Sequence, residues 1–224
     1  MQFENEAGPV NKSVRSIRPN TRSVTGHFPP YGQYESTLER DFMEIIRFDP
    51  KVENYLPQPV RIDFLDSDGR QRRYTPDGLI NFLPTQNLPS ILVEIKHRAD
   101  FRKDWKTLLR KFRAAKAYCL SRNWKFEVLT EVEIRTPYLE NIRFLWPYRS
   151  RTVEPGVREK ILEILWDLDE CDPELLVCAL CSSPSNRAAM IGPIWHLVAT
   201  GSIGCDLSRP ITMKTPIWPM EGIQ

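Results

Sequence analysis

Two acidic side chains and a lysine, each at the predicted end of a strand, are the residues of this chain best suited to chemistry. Asp77 closes the stretch Tyr74-Thr75-Pro76-Asp77, and Glu94-Ile95-Lys96 follows after sixteen residues. Because strand side chains alternate, we expect Glu94 and Lys96 on one face and Ile95 on the other. Carboxylates hold Mg²⁺, which stabilises charge on a phosphate, and a nearby cation can orient or help deprotonate the attacking water. The grouping predicts phosphodiester hydrolysis.

The same pattern has a purely structural interpretation. Asp77 would then be a turn residue, and Glu94 and Lys96 a surface ion pair, since many charged chains contain this pattern by chance. Two features favour a site. Glu94 and Lys96 end a strand that begins with the apolar run Ile91-Leu92-Val93, and Asp77 lies at the break Pro76-Asp77-Gly78 before another β-prone run.

A third acid, Glu39, lies in a predicted helix. The helix is expected to begin at Tyr34 and to end at Phe48-Asp49-Pro50. At 100° per residue Glu39 shares the inward apolar stripe, where an acid needs a partner. It is either a ligand at the edge of the core or part of a capping box in which it closes back on Ser36. The sequence leaves both interpretations open.

The remaining elements of this region alternate between strands and helices. The predicted order is a helix, a run of strands, a second helix and a further strand, which indicates a mixed α/β sheet flanked by helices. After the helix at Tyr34 the predicted elements are strands Val60–Phe64, Arg72–Thr75, Leu79–Leu83 and the one ending at Lys96, a helix from about Asp100 to Arg122, strand Lys125–Leu129 and a short last element, Asn141–Trp146.

Near residues 152–155 the character of the sequence changes. Three short amphipathic helices are predicted, followed by a hairpin at Gly201–Leu207, an order typical of a winged-helix module. The helices are Arg158–Leu168, Pro173–Cys181 and Ser185–Ala199. We therefore divide the chain into an extended basic arm (1–33), an α/β domain (34–150) and a winged-helix-like domain (151–224).

Charge is unevenly distributed along a chain whose formal net charge is only +2. Residues 1–150 carry 25 basic and 19 acidic side chains, whereas residues 151–224 carry 6 and 10. The basic part is expected to meet a polyanion, although a disordered leader and a solvated helix face are the structural alternatives. Candidate nucleic-acid contacts are Arg15, Arg18, Arg22, His97, Arg98, Arg102, Lys103 and Lys106.

Several classes of protein are excluded. No run of about 18 apolar residues occurs, so we expect no membrane span. The N-terminus lacks a signal-peptide pattern and the five cysteines show no disulfide spacing, which favours reduced thiols in a cytoplasm. Cys178 and Cys181 lie in apolar helical sequence, so we interpret them as packing residues rather than zinc ligands. Neither a Gly-rich phosphate loop nor a nucleophile elbow is present.

Six short stretches, in order, resemble the TnsA family, the endonuclease subunits of heteromeric cut-and-paste transposons. The resemblance covers roughly residues 34–150. The C-terminal part resembles the family's winged-helix domain with weaker motifs, and residues 14–19 resemble the leader of its CRISPR-associated branch. The six stretches are Glu35-Ser36-Thr37-Leu38-Glu39-Arg40-Asp41-Phe42, Phe48-Asp49-Pro50, Gln58-Pro59, Tyr74-Thr75-Pro76-Asp77, Val93-Glu94-Ile95-Lys96 and Tyr138-Leu139-Glu140-Asn141-Ile142.

This resemblance implies a restriction-endonuclease-like fold of the PD-(D/E)xK type, with residues 34–150 as the endonuclease domain. It implies hydrolysis of the 5′, non-transferred strands of double-stranded DNA at transposon ends. The implied partners are a DDE transposase (TnsB-like), which cuts and joins the 3′ ends, and an AAA+ ATPase (TnsC-like). The C-terminal domain is expected to bind the ATPase.

The resemblance also assigns roles to residues. Glu39, Asp77 and Lys96 fall on the family's catalytic positions, and Glu94 falls where some members carry Gln. We expect two Mg²⁺ ions, replaceable by Mn²⁺, held by Glu39, Asp77, Glu94 and the Ile95 carbonyl, with Lys96 positioning the attacking hydroxide. Two alternatives stay open: a stand-alone restriction or repair nuclease of the same fold, and a non-catalytic adaptor between transposase and ATPase.

Overall fold

The computed structural model describes residues 24–220 and divides the chain into two compact units, one ending at Ile134 and the other beginning at Arg135. This division falls earlier than the boundary predicted between residues 150 and 151. The predicted arm residues Arg15, Arg18 and Arg22 lie outside the described residues.

The first unit is built around a mixed sheet of strands β3, β6, β7 and β8, in that order. β3, β6 and β7 are antiparallel, and β8 runs parallel to β7. The elements of this unit are β1 (Gly26–Phe28), β2 (Gly32–Tyr34), α1 (Thr37–Phe48), β3 (Val52–Pro57), β4 (Ile62–Leu65), β5 (Gln71–Tyr74), β6 (Gly78–Phe82), β7 (Ile91–Ile95), α2 (Arg98–Leu120), β8 (Lys125–Leu129) and α3 (Glu131–Ile134).

The sheet has an apolar cluster on each face, because neighbouring residues of β6 and β7 point to opposite sides. α1 packs on one face, where Phe42 and Met43 meet Ile80 and Val93. α2 and the β4–β5 hairpin cover the other face through Ala115, Ile62, Leu79 and Leu92. The predicted mixed sheet flanked by helices is confirmed.

The N-terminal boundary of α1 differs from the prediction. Ser36 caps the helix, its Oγ accepting the Glu39 N–H at 3.1 Å, so α1 begins at Thr37 instead of Tyr34. The residues just before it form the β1–β2 hairpin, and Phe28, Tyr31 and Tyr34 pack against the core. The extended arm predicted for residues 1–33 is therefore wrong for residues 26–33.

The sheet also contains a strand that the sequence analysis missed. β3 pairs antiparallel with β6, while the two strands predicted at Val60–Phe64 and Arg72–Thr75 form the separate β4–β5 hairpin. Polar residues Glu53 and Asn54 interrupt the apolar pattern of β3, which is why the strand was not recognised.

The second unit consists of helices followed by a two-stranded sheet. Its elements are α4 (Pro137–Arg149), α5 (Pro155–Leu168), α6 (Pro173–Leu180), α7 (Pro184–Ala199), β9 (Ile203–Cys205) and β10 (Ile217–Pro219). α5, α6 and α7 lie within a few residues of their predicted bounds. Ile161, Leu165, Leu176 and Ile194 are fully buried in this unit. None of the helices within residues 24–220 is long and apolar enough to cross a membrane.

Two predictions in this unit are wrong. Asn141–Trp146 is not a separate short element but lies inside α4. The hairpin predicted at Gly201–Leu207 is also different, since this segment supplies only β9, and β9 pairs with the more distant β10. The residues between the two strands include Pro210 and Pro216, and no second β-prone run lies close enough to β9 in sequence to suggest this pairing.

Candidate active site

The two motifs that open the sequence analysis meet where β6 begins and β7 ends. These strand ends form one edge of the first unit's sheet. Gly78 pairs with Val93 in the antiparallel β6–β7 ladder, so Asp77 and Glu94 come next on neighbouring strands. The Asp77 Oδ2 accepts the Ile95 N–H at 2.7 Å. The order of the strands thus brings Asp77 against the last residues of β7, as expected from the sequence.

Glu94 is 2% exposed and is held by two side chains. The Tyr74 hydroxyl donates to its Oε2 at 2.6 Å, and the Lys96 Nζ lies 3.3 Å from its Oε1. Burial, followed by the charge of Glu94, raises the pKa of Tyr74 above its ordinary value, so the hydroxyl remains a proton donor. Glu94 and Lys96 share one strand face, as the period of two predicts.

Glu39 caps α1. Its Oε1 accepts from the Ser36 hydroxyl at 2.9 Å and its Oε2 accepts the Glu35 N–H at 2.9 Å. The capping contacts that the sequence left as one interpretation are thus present. The charge of Asp77 nevertheless acts on Glu39, so this cap lies beside the same edge of the sheet.

Burial and mutual repulsion disfavour the charged forms of two of these carboxyls. Burial, followed by the charge of Glu94, raises the pKa of Asp77 to about 7, against the opposing effects of Lys96 and the Ile95 N–H. Burial, followed by the charge of Asp77, raises the pKa of Glu39 to about 7. A cation bound beside Asp77 and Glu39 would stabilise their charged forms and so lower both pKa values.

Lys96 is the positive charge already present. Burial disfavours its ammonium form, but the charges of Asp77, Glu94 and Glu39 outweigh burial and raise the pKa of Lys96 well above its usual value. All three carboxylates therefore act on one ammonium group. Because Lys96 stays protonated at neutral pH, it can orient an anion or a hydroxide.

Residues of β3 and the following loop support the Asp77 backbone, and the sequence analysis missed this role. The Gln58 N–H donates to the Asp77 carbonyl at 2.9 Å, and the Gln58 Nε2 donates to Glu35 Oε1 at 3.2 Å. The Tyr55 ring covers Gly78, where any Cβ would overlap the phenol. Gln58-Pro59 among the family stretches was the one available signal.

Two of the residues predicted to contact nucleic acid, His97 and Arg98, instead contact acidic side chains of α3. The Arg98 N–H donates to Glu131 at 3.0 Å, and its guanidinium lies 3.4 Å from Glu133. The His97 Nδ1 lies 3.5 Å from Glu131. Arg102, Lys103 and Lys106, by contrast, are exposed and form no ion pair within residues 24–220.

The donor set fits a divalent cation in its chemistry. Asp77, Glu94 and Glu39 offer carboxylate oxygens, the ligands that Mg²⁺ prefers, and the raised pKa values of Asp77 and Glu39 mark negative charge that lacks full compensation. Within the described residues, however, no three Asp, Glu, His or Cys side chains are grouped as a ready metal site. Protein donors hold both oxygens of Glu39 and of Glu94, so an ion would have to replace some of these contacts.

Comparison with known proteins identifies this region. Residues 49–131 match the family described as TnsA-like endonuclease N terminal. This region is a TnsA-like endonuclease domain. The match confirms the family resemblance and indicates a transposition endonuclease, but it does not extend to the CRISPR-associated branch. Asp77, Glu94 and Lys96 lie inside the matched residues, whereas Glu39 lies before the TnsA-like match. No curated protein matches the chain.

Proposed function

We propose that the protein hydrolyses the 5′ strands of double-stranded DNA at transposon ends, as a metal-dependent endonuclease. One observation supports this most strongly: Asp77 lies against the end of β7, where the Ile95 N–H donates a hydrogen bond of 2.7 Å to its carboxylate. Both residues lie inside the region that matches the TnsA-like endonuclease family. A phosphate placed at this edge would face Lys96 and the carboxylates together.

Each residue has a separate task. Asp77, Glu94, Glu39 and the Ile95 carbonyl would hold Mg²⁺, or Mn²⁺ in its place, and the bound metal would stabilise phosphate charge and make water more acidic. Lys96 orients the incoming hydroxide. Tyr74 fixes the direction of the Glu94 carboxylate.

The reaction follows from this arrangement as an in-line hydrolysis. The oxygen of water forms a bond to phosphorus as the bond to the 3′ oxygen breaks, leaving a 5′-phosphate and a 3′-hydroxyl that takes up the proton. Residues that fix Asp77 and Glu94 raise the rate by holding these groups in place before the reaction begins.

The proposed partners are a DDE transposase (TnsB-like) and an AAA+ ATPase (TnsC-like). α5, α6 and α7 followed by the β9–β10 pair support a winged-helix-like second unit. Its acidic excess makes it a better match for a protein than for DNA, so we assign it to partner binding, in a cytoplasmic assembly.

The decisive experiment is Asp77→Ala in a reconstituted transposition reaction. Loss of a carboxylate from the site is expected to lower 5′-strand nicking by several orders of magnitude while 3′ joining continues. Asp63→Ala is the matched control, because Asp63 is an exposed carboxylate on the β4–β5 hairpin paired only with Arg73. Unchanged excision by Asp77→Ala refutes the assignment.

A second candidate, a non-catalytic adaptor, is favoured by one observation: protein groups hold both oxygens of Glu39 and of Glu94. Calorimetric titration of wild type and Asp77→Asn with Mg²⁺ or Mn²⁺ separates the two candidates. Equal heats would indicate an inactive site and an adaptor. Incubation of the purified protein with plasmid and Mg²⁺ tests the third candidate, a nuclease that needs no partner.

A further inference from the structure

One side of α2 combines cations with exposed apolar side chains. We call it the outer face of α2. All of its members are exposed, and at 100° per residue the members that follow the kink at Asp104 fall within an arc of about 100°. They are Arg102, Trp105, Lys106, Leu109, Arg113 and Lys116.

The positive charge of this face is not compensated. α2 contains eight Lys and Arg residues but only two acids, Asp100 and Asp104, neither of which lies within the arc. Its four cations form no ion pair within residues 24–220, in contrast to Arg98, which is paired with Glu133. Such a face attracts a polyanion.

Two apolar side chains lie among the cations of the outer face of α2. Trp105 is 50% exposed and Leu109 is 42% exposed. The Lys106 Nζ lies 5.7 Å from the centre of the Trp105 ring. Two apolar side chains are too few to insert a helix into a membrane, but they suit contact with the sugars and groove wall of a nucleic acid.

The position of the face relates it to the candidate active site. α2 begins at Arg98, two residues after Lys96, so its first turn starts where β7 ends. From Trp105 to Lys116 the helix rises about 16 Å, a length that matches about five base pairs of duplex. Asp104 has non-helical angles (φ −121°, ψ 21°), so Arg102 lies before this kink and the other members of the outer face lie after it.

We propose that the outer face of α2 binds the phosphate backbone of duplex DNA beside the bond to be cut, with Trp105 lying against the sugars. This inference rests on the proposed function, because it supplies the surface that holds the substrate of the same site. Arg98 and His97 are not part of it. Their contacts fix the start of α2 on α3.

The test measures binding of a labelled duplex by the full-length protein with a chelator present, so that no cleavage occurs. Arg113→Gln/Lys116→Gln is compared with Lys51→Gln/Lys125→Gln, which removes the same charge from exposed positions elsewhere in the first unit. Between about 50 and 200 mM salt, the slope of log K against log salt is expected to fall by about 1.8 for the α2 pair and to stay unchanged for the control.

Trp105→Ala is expected to weaken binding about two- to tenfold without changing the slope.

Three results would overturn the inference: equal slopes for the two double variants, no duplex binding by wild type at about 50 mM salt, or binding to anionic vesicles in place of DNA. The proposed function is read separately in the nicking assay with Asp77→Ala. If nicking depends on Asp77 but the two double variants show equal salt slopes, only the DNA-binding role of α2 is refuted. If binding through α2 is salt-sensitive but the protein does not nick DNA, only the catalytic assignment is refuted.

Discussion

Glu94 shows how strongly the candidate active site depends on single contacts. One of its oxygens faces Tyr74 and the other faces Lys96. Tyr74→Phe removes the hydroxyl and leaves a buried carboxylate oxygen without its donor, so we expect a loss of about 1 to 3 kcal/mol in the free energy of unfolding. Urea denaturation at neutral pH measures this loss.

Tyr118→Phe is the matched control for Tyr74→Phe. Its ring packs against Trp124, and its hydroxyl makes no hydrogen bond within the described residues, so its stability is expected to stay near that of wild type. The nicking rate adds a second measurement, since a Glu94 carboxylate free to rotate should also slow cleavage. Unchanged stability and an unchanged rate for Tyr74→Phe would show that the hydroxyl does not position Glu94.

The residues of the site differ in how far the sequence predicts them. Asp77, Glu94 and Lys96 could be placed together because a strand's period of two and the order of neighbouring strands determine their positions. Tyr74, Gln58 and Tyr55 could not, since their contacts depend on the β4–β5 hairpin and on β3, whose places in the fold are set by packing across distant parts of the chain.

At the level of elements, the link between β9 and β10 is held by one buried amide. The Asn141 side chain in α4 donates to the carbonyls of Leu207 and Arg209, at 2.9 and 2.6 Å, and accepts the Ile211 N–H at 3.1 Å. Asn141 belongs to the family stretch Tyr138-Leu139-Glu140-Asn141-Ile142, so this stretch has a structural role in the second unit.

Asn141→Ala is therefore expected to destabilise the second unit. Three backbone groups lose their partner together, and the buried ones cost about 1 to 3 kcal/mol each when water cannot replace it. Hydrogen exchange of residues 206–216 is expected to accelerate before global unfolding. Asn186→Ala, at an exposed position of α7 in the same unit, is the control. Unaltered exchange in Asn141→Ala would mean that the loop is fixed by other contacts.

Element boundaries were harder to predict than element types. α2, β6, β7 and β8 followed from clear periodicity, whereas the start of α1 depended on the Ser36 cap. The pairing of β9 with β10 needed a loop of eleven residues, and no short-range turn signal marks such a pairing. Local patterns therefore indicated the elements but not all of their partners.

For the whole molecule, two units could be expected from the change in charge and pattern along the chain. Their boundary could not be placed correctly, because the helix α4 continues the family stretches beyond Ile134 although it packs within the second unit. The chain's net charge of +2 also means that overall repulsion is weak near neutral pH. Local pairs of charges then dominate how stability responds to pH.

Asp77 and Glu39 make that response predictable in sign. Their pKa values are raised to about 7 by burial and by neighbouring carboxylates, so the folded chain binds more protons than the unfolded chain from about pH 4.5 to 7. Stability without metal is therefore expected to be greatest at the acidic end of this window, to fall as pH rises through it, and to level off above about pH 7. The pKa values of Asp66 and Glu133 are lowered instead, so these two groups reduce stability only when they take up protons at lower pH.

Thermal unfolding in a chelator between about pH 5 and 8 measures this fall, and adding Mg²⁺ is expected to reduce it, since a bound cation replaces the lost protons. Asp77→Asn/Glu39→Gln provides the control, because it keeps every other titrating group and removes these two. The double variant should show a much flatter profile than wild type and no effect of Mg²⁺. A wild-type midpoint that rises across this range would contradict the electrostatic description of the site, because carboxyls with raised pKa values can only oppose stability as they lose their protons.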